Sequence, residues 1–220
     1  MESFLQDCRY AVRILARSPG FTLIAVLALA IGIGANSAIF SIVNAVILKP
    51  LPYDKPEQLV QLWMRFTGIG IPNDQNWVSG PEFVDLQQNQ SLSHLAAISS
   101  TSFNINITGA PERIDSAVVS TSFFPLLGVQ AQLGRVFLPE EGQSGRERVV
   151  LLSDGLWRRR FGADPAISGR KLAMNGQSYV VVGVLPPDFH LPLESEVWTP
   201  LVFSADDLSP NSRGSHQYQV

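Results

Sequence analysis

The residues of this chain that could do chemistry are three histidines, two adjacent glutamates and three consecutive arginines. His94, His190 and His216 stand far apart and none falls in an HExxH pattern. Zinc sites draw their ligands from short, fixed spacings, so no metal is expected. Glu140 and Glu141 follow Pro139 in a glycine-containing loop, where a solvated acidic turn explains the pair better than general acid–base work. No GxSxG nucleophile elbow occurs. The glycine-rich "GIGANS" (Gly32–Ser37) lacks a preceding strand, a following GK[ST] and a polar setting, so it is not a phosphate loop, and no cofactor is expected. Arg158, Arg159 and Arg160 form the densest positive patch. Successive helix positions point in different directions, which suits a solvated face with Trp157 and Phe161 turned inward; a lipid-headgroup or partner contact is the alternative. Asn89-Gln-Ser91 and Asn106-Ile-Thr108 match the glycosylation pattern, which matters only on a eukaryotic secretory route. None of this supports catalysis, and the chain reads as a non-enzyme.

The elements that position these residues are better marked. The chain has 220 residues, 45% hydrophobic, with a net charge of −3, enough for one anchor and one soluble domain. That mild acidity argues against a nucleic-acid partner. A single cysteine, Cys8, excludes an internal disulfide framework. From Ser18 through Leu48, 31 residues carry no charge, whereas about 20 apolar residues cross a bilayer. Signal peptides have apolar regions of about 7–15 residues and buried core helices run to about 14. Both are shorter than this run, although Arg9, Arg13, Arg17 and the small residues Ala28-Leu29-Ala30 would suit a signal peptide. Between Phe21 and Phe40 ten residues are Leu, Ile, Val or Phe, worth roughly −3 to −6 kcal/mol toward insertion. A transmembrane helix in the lipid bilayer is therefore expected.

The surplus length has a pattern of its own. Ser37, Ser41 and Asn44 share one helical face, as though the last turns left the bilayer and continued as a stalk against a partner. Val43, Val46 and Ile47 lie away from that line, and Pro50 and Pro52 stop the helix. Ala30, Gly34 and Ala38, like Ala28 and Gly32, form a small-xxx-small row that lets a second helix approach closely; equally, glycine is common in ordinary membrane spans. Upstream, Phe4, Leu5, Cys8, Val12 and Leu15 recur at helical spacing among the arginines, which suits an amphipathic helix on a membrane surface, with a bend at Pro19. Three arginines precede the span, while Lys49 and Lys55 follow it closely and Arg65 comes later. That count tips toward a cytoplasmic N-terminus.

Beyond the anchor the pattern predicts a mixed α+β domain. "EQLVQLWMRF" reads as a strand anchored by Leu59, Leu62 and Trp63. "SGPEFVDLQQNQ" reads as a capped short helix with Phe83 and Leu86 on one face. Phe103, Ile105 and Ile107 alternate in a half-buried strand ending at Gly109, and "RIDSAVVS" is another strand. "TSFFPLLG" is a helical turn capped by Thr121 and stopped at Gly128. "ERVVLLSDGLWRRRFGADP" is a strand ending at Ser153, followed by a helix. Asn175-Gly176 marks a tight hairpin, an irregular return leads to a strand near Val197 and Trp198, and "RGSHQYQV" looks like the opening of a further strand.

Four stretches carry a resemblance over nearly the whole chain: "DCRYAVRILARSPGFTLIAVLALAIGIGANSAIFSIVNAVILKPLPY", "SFFPLLGVQAQLGRVFLPEE", "VVLLSDGLWRRRFGADPAISGRKLAMNGQSYVVVGVLPPDFHLP" and "RGSHQYQV". The chain resembles the permease subunits of the MacB/FtsX class of ABC transporters, and more closely the MacB-like duplicated orphan permeases. The resemblance implies a bacterial inner-membrane protein with residues 1–17 as a cytoplasmic interfacial helix. Residues 18–49 would be a transmembrane helix extended into a periplasmic stalk, and 50–220 a MacB-like periplasmic core domain. It also implies a separate ABC ATPase that drives the helices, a second permease chain, and motion passed outward rather than substrate carried across. The core would be two-part: Leu51 to about Thr108 begins an outer subdomain, about Arg113 to Leu201 is inserted in it, and "HQYQV" returns. Complete relatives continue with further membrane helices, so the chain is expected to be an amino-terminal portion with an incomplete core. Without those helices, transport by this polypeptide alone is in doubt. A single-span periplasmic sensor or ligand-binding protein is the alternative reading, and a membrane-anchored enzyme a third.

Overall fold

The computed structural model describes residues 2–44, 53, 55–65, 77–106, 111–189 and 195–220. The chain divides into two compact units, Met1–Pro52 and Tyr53–Val220.

The first unit is two helices, α1 (Glu2–Arg17) and α2 (Pro19–Val43). Ser18 breaks the helical backbone between them (φ −127°, ψ 68°), and Pro19 begins α2. Proline has no N–H, so the Leu15 carbonyl one turn back loses its helical donor. The Thr22 hydroxyl replaces it, donating to Leu15 O at 2.7 Å and lying 3.0 Å from Ser18 O. The bend expected at Pro19 is thus a break with its own repair. The arginines of α1 are exposed, as are Tyr10, Ile14 and Leu15; the side chains of Phe4, Leu5, Cys8 and Val12 lie outside the described residues. The 25 residues of α2 span about 37 Å at 1.5 Å each, more than the roughly 30 Å of a hydrocarbon core. Helical geometry continues through Asn44, whose N–H reaches the carbonyls of Phe40 and Ser41. Val46, Ile47, Lys49, Pro50 and Pro52 lie outside the described residues.

The second unit is built on seven strands: β1 (Ile98–Asn106), β2 (Pro111–Val119), β3 (Leu133–Gly134), β4 (Val149–Leu152), β5 (Lys171–Met174), β6 (Gln177–Val184) and β7 (Val197–Pro200). Their order is β3-β6-β4-β7-β2-β1-β5. β1–β2, β7–β4 and β5–β6 are antiparallel, while β2–β7 and β4–β6 are parallel. β5 also meets β1 at Ile105–Met174, so the pairings close on themselves. The expected hairpin forms between β5 and β6, with Asn175 at φ 47° and Gly176 at φ 76°. Both need the left-handed region, which this dipeptide tolerates.

Alternation along the strands divides the core between two faces. Val150 and Leu152 join Ile105, Ile114 and Met174 in one cluster, sealed by Leu156 of helix α5 (Asp154–Phe161). Leu151 and Trp198 face the other way, toward Phe124 of the short helix α4 (Phe123–Leu126). Phe124 is fully buried, with the rings of Phe123, Phe137, Phe189 and Trp198 at 5.4–6.3 Å. A third cluster joins Val78, Phe83 of helix α3 (Gly80–Gln87), Ala97, Leu201 and Tyr218. The capping box expected at α3 is present, with Glu82 Oε2 accepting from the Ser79 N–H at 2.9 Å.

Several expectations need correction. The strand expected across 57–66 does not form among the described residues. Lys55 is left-handed (φ 48°) and Pro56–Gln58 is a 3₁₀ turn. After it, Leu62 donates to the Val220 carbonyl at 2.7 Å, and Trp63, expected as an anchor, is 41% exposed. Thr121 does not cap α4: Ser122 occupies that position and donates its hydroxyl to Leu95 O instead. The division near residues 108–113 does not separate two compact bodies, because β1 pairs with β2 along its whole length. Ile107, Thr108 and Gly109 lie outside the described residues.

Candidate functional site: the apolar helix and the ion-pair network of the domain

The functional candidates on α2 face outward. None of its residues is buried, and it is the one helix among the described residues long and apolar enough to cross a bilayer. Ala30, Gly34 and Ala38 are exposed in one row, and a methyl group added at Gly34 or Gly32 would meet nothing within 4 Å. Ser37, Ser41 and Asn44 are exposed on their own row. Sequence spacing alone places both rows, and no described residue of this chain packs against the glycines.

The arginine triplet of the domain does the opposite: its members are paired. Arg158 Nε donates to Asp154 Oδ2 at 2.7 Å. Arg159 binds Glu196 through both guanidinium nitrogens, at 2.7 and 2.9 Å, and comes within 3.5 Å of Glu112. Arg160 also pairs with Glu112. Arg159 and Arg160 therefore fasten α5 to β2 and to the approach to β7, while Arg158 braces α5 from within. Trp157 is half-buried beside it, donating its indole N–H to the Asp164 carbonyl at 3.0 Å. The expected solvated face is present, with all three arginines exposed and Trp157 and Phe161 turned toward the core, and their described partners are carboxylates.

Glu141 departs further from expectation. It is buried, forked by Arg135 at 2.9 and 2.6 Å, and accepts the Leu138 N–H at 2.8 Å. Only Glu140 is the solvated acid of that turn. The hydrogen bonds to Glu141 hold the Arg135 guanidinium above its ordinary value. At the start of α5, Arg158 and then Gln132 donate to Asp154, and these bonds hold its carboxyl below the ordinary range.

Some structural residues gave no sequence signal. Gly134 (φ 75°) and Gly183 lie face to face where β3 meets β6: a methyl at Gly183 would sit 2.5 Å from Arg135 O and 2.8 Å from Leu133 O. Of the histidines, His94 is exposed, His216 lies 3.3 Å from Glu82, and His190 is outside the described residues. Asn89 is exposed and accepts the Ser91 N–H, a local turn.

A mixed strand-and-helix domain follows an exposed apolar helix, and no group of three or more His, Cys, Asp or Glu side chains that could hold a metal occurs among the described residues. The MacB-like periplasmic core domain family matches residues 22–219. The chain belongs to that family, and thus to the periplasmic region of MacB/FtsX-type ABC transporter permeases. Among solved structures, the extracellular domain of the noncanonic ABC-type transporter YknZ from Gram-positive bacteria is similar. It has 17% identity and a TM-score of 0.52, over 72% of this chain and 79% of that one. The periplasmic region of MacB from Actinobacillus actinomycetemcomitans aligns at 13% identity and a TM-score of 0.48, over 70% and 68% of the two chains. A domain of a putative permease from Porphyromonas gingivalis aligns at 16% and 0.48, over 66% and 67%. No curated protein matches.

Proposed function

We propose that this chain is a mechanical component of an ABC-type export system, coupling a separate cytoplasmic ATPase to its periplasmic domain. On this reading α1 lies on the cytoplasmic surface within residues 1–17 and residues 18–49 cross the membrane and continue as a stalk. Residues 50–220 then stand in the periplasm. The observation that carries the reading is the unbroken helix Pro19–Val43 with no buried residue. Upright, it outruns the roughly 30 Å of hydrocarbon by about a turn, and it is exposed along the Ala30–Gly34–Ala38 row where a partner would pack. A rigid rod passes displacement from end to end, which a chain of short elements would not.

The Ala30–Gly34–Ala38 row is the surface for a second permease chain, since small residues let helix backbones approach. Ser37, Ser41 and Asn44 form the polar face of the stalk. Cysteine crosslinking between chains in native membranes tests this. Aspartate at Gly34 or Ala38 is expected to abolish crosslinking at neighbouring positions, while aspartate at Leu27 lowers it less. Equal losses at all three would refute the small-residue face.

A further inference from the structure

The last segment of the chain wraps α3. Gly80 lies so close to the Asp207 carbonyl that an added methyl would sit 2.9 Å from it. Phe83, Phe203 and Tyr218 stack ring against ring at 5.8 and 5.3 Å. Arg213 donates to Asp85 at 2.8 Å. The segment then enters an extended ladder: Tyr218 pairs with Val78, Gln219 with Ile98 on the opposite side, and Val220 O accepts from Leu62. Three stretches distant in sequence are therefore joined through Gln217–Val220.

Between the Arg213 tie and this ladder stands His216, its Nε2 3.3 Å from Glu82 Oε2, with about a fifth or less of each side chain exposed. The same Glu82 oxygen already accepts from Ser79 N–H and Oγ in the capping box. Only histidine changes charge between about pH 5 and 8.

We propose that His216 and Glu82 form a proton-dependent clasp that fastens the Gln217–Val220 strap to α3 as pH falls. Of the charged groups on the packed elements, α3 carries Glu82 and Asp85; the segment leading into the strap carries Asp206, Asp207 and Arg213, with Arg213 paired to Asp85, and on the strap burial pushes the Tyr218 phenol up. At 3.3 Å a protonated imidazole gives Glu82 a charged partner, and a neutral ring does not. A carboxylate shared with the N-cap of α3 couples the clasp to the helix start, not to a free surface charge.

Hydrogen exchange of the full chain in lipid nanodiscs, corrected for intrinsic rates, tests the clasp. Protection of the Tyr218 and Gln219 amides should rise about threefold from about pH 8 to 5.5, the effect of one partly exposed ion pair. His216→Gln should flatten that rise. Glu82→Gln should do the same while still capping α3, since glutamine also serves in a capping box. Asp85→Asn should lower protection at every pH and leave the slope intact. A flat wild-type profile, or a slope in His216→Gln or Glu82→Gln equal to that of the wild type, would overturn the proposal.

Discussion

Gly34 and Gly183 are the same residue in opposite circumstances. Around Gly34, on α2, an added methyl meets nothing; at Gly183, between β6 and β3, it meets three backbone atoms within 2.9 Å. The rest of each region follows suit. The apolar side chains of α2 are exposed, whereas those of the strand domain fill three clusters. The domain closes its own core. Exposed leucine and isoleucine over about 37 Å of helix are stable only where lipid or another chain covers them. One part of the protein buries its apolar side chains among its own strands, and the other leaves them to an environment.

The sharpest way to break this contrast is to substitute both glycines. Gly183→Ala should destabilise the domain by roughly 2–4 kcal/mol, because backbone cannot move aside cheaply. Gly34→Ala should leave its melting temperature unchanged, and alanine even favours helix by up to about 1 kcal/mol. Thermal unfolding followed by circular dichroism in micelles checks both, and an equal loss would erase the distinction. Next in size is Glu141→Ala, which strands the partly exposed Arg135 and an N–H at Leu138. A cost of about 1–3 kcal/mol is expected in urea unfolding.

The smallest expected effect is acid-dependent. The Asp154 carboxyl is held low in the folded chain by Arg158 and Gln132, so its stabilisation is present in full above the ordinary carboxylate value, near 3.9. It fades as pH falls through that value toward the depressed one. The stability gap between wild type and Asp154→Asn should accordingly be constant at neutral pH and shrink in acid. A gap that widened on acidification would contradict the sign.

What could be read beforehand divides along similar lines. The long uncharged run, the Ser79–Glu82 capping box and the Asn175-Gly176 turn are local: each is specified by residues within a few positions, and each formed. The helix start at Ser153 is another, its hydroxyl accepting from Leu156 N–H. The face-to-face glycines, the Arg135–Glu141 fork and the grip of Arg159 on Glu196 depend on where distant strands end up. Alternation misled at 57–66, because apolar periodicity predicts a strand only where a neighbour supplies a continuous ladder; among the described residues Leu62 reaches the Val220 carbonyl and Met64 forms a lone bridge. The partners of the arginine triplet were not legible, because nothing in its own stretch reveals Glu112 and Glu196.

The central claim is that α2 crosses a membrane and delivers the strand domain to the far side. Labelling intact bacteria with a membrane-impermeant maleimide tests it directly, using the native Cys8 and, in a Cys8→Ser background, Ser144→Cys on an exposed turn of the domain. The account predicts label at position 144 in intact cells and at Cys8 only after permeabilisation. Label at Cys8 with position 144 protected, or at both alike, would contradict it.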